Sequence, residues 1–181
     1  EGCREPMTQL RDGALVCATQ TGFLRQAPRG SRAEFSFPDG EESPVRLLPG
    51  QRLDEFFAIN RVGVVSHLRL TDRLSLLGRF QLPAPTYAAA ANSEALAFVL
   101  IKNQSTGQAR SWSLLVTDLE GQPRFQSDLP ALVPGAEDDW VAAVVEDKNL
   151  AISRFEPLVA VGGPRRVTVW DYRQGRERFT R

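Results

Sequence analysis

Leu114-Leu115-Val116-Thr117-Asp118-Leu119-Glu120-Gly121-Gln122-Pro123-Arg124-Phe125 is an apolar strand that ends in Asp, a turn carrying Gly, and a return that opens on Arg-Phe. The same phrase occurs on either side of it. Leu68-Arg69-Leu70-Thr71-Asp72 leads to Gly78-Arg79-Phe80, and Val167-Thr168-Val169-Trp170-Asp171 leads to Gly175 and Arg178-Phe179. The aspartates stand 46 and then 53 positions apart, a period that fits repeated β-meanders and not one continuous helical or α/β fold. Asp caps a turn through its side chain and Gly takes positive φ. Asp72, Gly78, Phe80, Asp118, Gly121, Phe125, Asp171, Gly175 and Phe179 therefore read as a structural repeat, not as an active site.

Outward from the phrase, short strands alternate with turn signals. Tyr87 to Ala91, Ala95 to Ile101, Trp112 to Thr117 and the return through Phe125 make one unit; Trp140 to Val145, Leu150 to Phe155, Leu158 to Val161, Val167 to Trp170 and Arg178-Phe179 make the next. Each unit holds about four strands, as a propeller blade does. Upstream, Ala14 to Thr19 and Phe23-Leu24 flank a turn and read as one hairpin. Ala33 to Phe37 and Pro44 to Leu48, around Pro38-Asp39-Gly40, read as a second. Leu53, Phe56 and Phe57 permit a short helix over 52–60, and a strand from Phe56 into Val62 to Val65 fits equally.

Val167-Thr168-Val169-Trp170-Asp171 with Gly175 resembles the third strand and turn of a WD-repeat blade, and Leu115 to Gly121 looks like its counterpart in divergent propellers. The resemblance covers about residues 62–181. No Gly-His pair precedes any copy, since His67 is the only histidine, and two copies lack the Trp. The expected fold is all-β: a propeller-like array of about three to four four-stranded antiparallel meanders, with a β-sandwich as the alternative. Residues 1–50 form an N-terminal hairpin segment, either an irregular first blade or a cap, and 51–181 the repeat region. Three clear copies are few for a closed ring, so the count itself points to a protein partner or to self-association.

Twenty-two basic and twenty-two acidic side chains cancel, so no bulk field holds nucleic acid or an anionic membrane. No apolar run approaches the roughly 18 to 20 residues of a spanning helix. Glu1 is the first residue and Met7 the only methionine, which is expected of a processed leader or a trimmed chain. Cys3 and Cys17 are the only cysteines. A disulfide between them would close a loop of about 15 residues, worth on the order of 3 kcal/mol, and would require an oxidising compartment. The expected location is extracytoplasmic, periplasmic or secreted; a buried reduced Cys17 with an incidental Cys3 would fit a cytoplasmic protein.

The sequence offers little chemistry. Ser66, His67 and Asp72 could be written as a triad, but strand neighbours point to opposite faces. The acidic run Glu137-Asp138-Asp139 before Trp140 lacks calcium-loop spacing and reads as a loop; Arg165 and Arg166, with Arg173, Arg176, Arg178 and Arg181, form a basic C-terminal unit that reads first as a solvated strand edge guarded by charge and second as a contact for an acidic partner. Neither a metal nor a cofactor is expected, and no catalytic residue is assigned. Glu137, Asp138, Asp139, Trp140, Arg165 and Arg166 are the binding candidates, because loops carry binding while the sheet holds them; Gly135 to Asp139 and Asn103 to Arg110 are the loops singled out. The expected function is a non-catalytic binding or assembly subunit. The alternative is a carbohydrate-binding or hydrolytic domain that uses loop carboxylates and the aromatic set Trp112, Trp140, Trp170, Tyr87 and Tyr172.

Overall fold

The computed structural model describes residues 4–37, 42–102, 111–129, 149–163 and 166–181. It divides into two compact units, Glu1–Pro83 and Ala84–Arg181. The strands are all short, and each unit contains two four-stranded antiparallel meanders.

The first sheet is β1 (Arg4–Gln9), β2 (Leu15–Ala18), β3 (Gly22–Gln26) and β4 (Arg32–Ser36), paired in chain order. The second is β5 (Arg46–Pro49), β6 (Glu55–Ile59), β7 (Val64–Leu70) and β8 (Leu74–Gln81). Strand alternation turns Val16 and Phe23 toward Leu47, Phe56, Ala58, Leu68 and Leu70, which together form the core of this unit. Phe23 meets Phe56 edge-on at 5.1 Å between ring centroids. Full burial of one such ring contributes about 2 to 3 kcal/mol.

Two expectations for this region change. Arg52 to Asn60 contains no helix: Glu55–Ile59 is a strand in which every residue is buried. A strand covered on both faces loses its alternation, so its apolar spacing imitates a helical one. Ala33 to Phe37 and Pro44 to Leu48 are not a hairpin either. β4 pairs with β3, Phe35 opposite Phe23, whereas β5 pairs with β6, Leu48 opposite Phe57. The chain passes from one sheet to the next between them, and residue 50 lies in the β5–β6 turn. The first sheet supplies the blade that the phrase did not mark.

The second unit holds β9 (Thr86–Ala91), β10 (Leu96–Lys102), β11 (Ser111–Thr117) and β12 (Pro123–Asp128), then β13 (Leu150–Ile152), β14 (Leu158–Gly163), β15 (Arg166–Asp171) and β16 (Arg176–Thr180). Ala97, Val99, Ile101, Trp112, Leu114 and Val116 pack on Leu150, Val159, Val161 and Trp170. The expected strand Trp140 to Val145 lies outside the described residues.

One turn design recurs. In the pairs Leu10 and Gly13, Ala27 and Gly30, Asn60 and Gly63, and Asp118 and Gly121, the Gly N–H donates to the carbonyl three residues back. Each of these glycines has φ between 84° and 89°, the left-handed residue of a three-residue hairpin loop. Ala27 thus occupies in the first sheet the position that Asp118 occupies in the third. In each sheet the fourth strand is the most exposed, and charges in β4, β12 and β16 guard its open edge.

Candidate interaction site

The repeat residues separate once side chains are placed. Asp118 Oδ1 accepts from Gln122 N at 2.7 Å, and Arg124 reaches Asp118 Oδ2 at 3.2 Å. Asp171 is buried; its Oδ1 accepts from Gln174 N at 2.9 Å and Arg173 N at 3.1 Å, and Arg178 donates to Oδ2 at 2.7 Å. The Gln174 N–H is the main reason that the Asp171 carboxyl is held below the usual range; burial opposes it and Arg178 adds to it. In these two copies the Arg of the phrase returns to the Asp, a link that the linear spacing did not reveal. The first copy differs: Asp72 is exposed in its turn, and Gly78 lies inside β8 opposite His67.

Of the remaining candidates, Cys3, Glu137, Asp138, Asp139, Trp140, Arg165 and the loop Asn103 to Arg110 lie outside the described residues. Arg166 is exposed at the start of β15. Cys17 is fully buried in β2 and is not a free thiol. His67 is partly buried in β7. It stacks on Phe57, centroids 4.3 Å apart, and its Nε2 is 3.3 Å from Glu55 Oε2, without hydrogen-bond geometry. Glu55 comes from β6 and is locked by Arg69, which donates to Oε1 at 2.6 Å. Burial pushes the Glu55 carboxyl up, but Arg69, His67 and the Arg52 N–H together bring it below its ordinary value. A carboxylate held this way ties β6 to β7. Among the described residues, no three His, Cys, Asp or Glu side chains are placed to hold a metal ion.

The surface with the most defined construction lies at one end of the second unit, where the β9–β10, β13–β14 and β15–β16 turns meet. Asn92, buried, accepts from Glu94 N and Ala95 N through Oδ1, both at 2.8 Å, and so closes its own turn. Its Nδ2 donates to Ser153 O at 2.8 Å and lies 3.4 Å from the Tyr172 hydroxyl. Tyr172 N donates to Pro157 O at 2.9 Å. The turn 153–157 is thus anchored at both ends by neighbouring turns. Within it, Ser153 Oγ accepts from Phe155 N and Glu156 N, at 3.3 and 3.2 Å. This hydrogen-bonded support presents Phe155, which is 95% exposed, between Arg154 and Glu156. An ion pair between Arg173 and Glu94 joins two of the turns beside it. Sequence reading placed Phe155 at the end of a strand; Ser153 and Pro157 on either side were the turn signal.

No protein-family profile and no curated protein matches the sequence. Solved structures do. The Cps50 (Swd1) β-propeller domain of Myceliophteria thermophila superposes on 100% of this chain and 57% of its own, with a TM-score of 0.63 and 13% identity. BamB from Moraxella catarrhalis matches 95% of this chain and 50% of its own, at 0.57 and 12%. Kuenenia stuttgartiensis hydrazine synthase matches 90% and 51%, at 0.63 and 10%. The chain thus spans about half the length of these structures. At such identities the likeness establishes the fold alone: an all-β, propeller-like array of four-stranded meanders, as the resemblance implied, and not a sandwich. An enzyme stands among the matches, and a fold does not choose a function.

Proposed function

We propose that this chain is a non-catalytic binding or assembly subunit of an extracytoplasmic complex, using its β-repeat scaffold for protein–protein contacts. The observation that carries the reading is Phe155, almost wholly exposed on a turn fixed by Ser153, Asn92 and Tyr172. Leaving a large aromatic in water is unfavourable, whereas a rigid aromatic anchor is what binding hot spots use. Propeller-like meanders suit this role because the sheets hold the turns still while the turns vary. Export is proposed from the cysteines: Cys17 is not free, and Cys3 is the only other cysteine in the sequence.

One experiment addresses both parts. The tagged chain is recovered from its native source beside Phe155→Ala, and intact mass is read before and after reduction. The expected result is a stoichiometric partner that the variant retains at least tenfold less well, equivalent to about 1.4 kcal/mol, and a gain of two hydrogens on reduction. Equal retention by both forms would refute the interaction site, and two freely alkylated thiols would refute the disulfide and the case for export.

A further inference from the structure

The loop that presents Phe155 has a counterpart in the first unit, closed by the same hydrogen bonds. The two loops are of equal length, 153–157 between β13 and β14 and 50–54 between β5 and β6. In each, the first N–H donates to the carbonyl of the residue that opens the next strand, Ser153 to Leu158 at 2.9 Å and Gly50 to Glu55 at 2.8 Å. The last carbonyl accepts from an N–H at the end of the sheet's third strand, Pro157 from Tyr172 at 2.9 Å and Asp54 from Leu70 at 2.8 Å. The first carbonyl accepts from a side chain in the first turn of the preceding sheet, Ser153 from Asn92 Nδ2 at 2.8 Å and Gly50 from Arg11 Nε at 3.1 Å. The frame is thus the same, although Ser-Arg-Phe-Glu-Pro and Gly-Gln-Arg-Leu-Asp share no residue at a matched position.

Both loops hold a large apolar side chain in water: Phe155 is 95% exposed and Leu53, one position further along its loop, 60%. An exposed leucine by itself carries no meaning. This one stands on the frame that presents Phe155, and its neighbours repeat the order of charge: Arg52 and Asp54 flank Leu53 as Arg154 and Glu156 flank Phe155. Arg52 Nε lies 3.8 Å from Glu55 Oε1 and Asp54 Oδ2 lies 3.8 Å from Arg69 Nε, so strand residues behind the loop hold both charges beside Leu53. An apolar anchor between one charge of each sign fits a protein pocket that is apolar at its centre and polar at its rim. It does not fit a polyanion or an anionic lipid surface, which the carboxylate would repel.

We propose that Leu53 is a second protein-binding anchor, and that the first unit docks through its 50–54 loop onto the same partner protein that the second unit meets through Phe155. Each contact is made by one unit alone. At each, the partner offers an apolar pocket with an acidic side chain facing the arginine and a basic one facing the carboxylate. The inference rests on the reading of Phe155 as an interaction site and extends it from one unit to both.

Site-specific photo-crosslinking in the native source tests it, with p-benzoylphenylalanine placed in turn at Leu53, Phe155 and Val62. Val62 is the control, 57% exposed on the β6–β7 turn at the opposite end of the second sheet. All three side chains are substantially exposed, so the thermal melts should stay near that of the parent. The expected result is one and the same protein joined at 53 and at 155, each with at least tenfold more product than at 62. Product at 155 with none above the control level at 53, or different proteins at the two positions, would overturn the inference and leave the Phe155 reading standing. Product at 53 alone would overturn the Phe155 reading and with it the shared role, and product at neither position would overturn both.

Discussion

Gly22→Ala is expected to lower the stability of the first unit by about 3 kcal/mol or more, as overpacking against rigid backbone does. A Cβ on Gly22 would lie 1.8 Å from the Phe35 carbonyl oxygen, 2.8 Å from its carbon and 2.9 Å from Ser36 Cα. No side-chain rotation relieves such a contact. β4 would have to leave β3 at the point where Gly22 pairs with Ser36, and Phe35 would lose its place on the core. Gly78→Ala is the control: a Cβ there meets nothing within 4 Å and Gly78 lacks a positive φ, so the change should be neutral or slightly stabilising. Urea midpoints measured on both variants separate the two expectations, and equal midpoints would contradict the β3–β4 pairing.

Asn92→Asp should be as damaging as Asn92→Ala, each costing about 2 to 4 kcal/mol as a buried polar node is broken. Alanine leaves the Glu94 and Ala95 N–H groups and the Ser153 carbonyl without their partner. Aspartate restores the two acceptances but places an anionic oxygen where Nδ2 donated to that carbonyl. The second consequence is local: the turn carrying Phe155 loses its anchor, so Asn92→Asp should also weaken capture of a partner. Denaturation followed by the fluorescence of Trp112 and Trp170, both in the core of this unit, reads the stability. An Asp variant as stable as the parent would show that the Ser153 contact does not matter.

Strand existence was legible wherever one face is wet and the other dry, as in Ala33 to Phe37, and turns were legible wherever Asp or Gly has a backbone reason to be there. Pairing was harder to read, because alternation says which side of a strand is buried and not which strand lies beside it; hence the second hairpin that the chain does not form. Ala27 stands in the first sheet where Asp118 stands in the third, so the Asp phrase marks only three of the four described sheets. The Glu55–Arg69 bond and the Asn92–Ser153 bond join residues 14 and 61 positions apart, and nothing local in either segment announces the other. Phe155 escaped notice because an isolated Phe near an apolar run reads as core, and only its turn shows that it points into water.

The repeat rests on the sheet boundary between β4 and β5, which makes 4–36 a complete meander. Backbone NOEs on isotopically labelled protein test it most directly. Cross-strand contacts are predicted between Phe23 and Phe35 and between Leu48 and Phe57, with none joining residues 33–36 to 45–48. Strand contacts across that last pair of segments would restore the hairpin and contradict the four-sheet array.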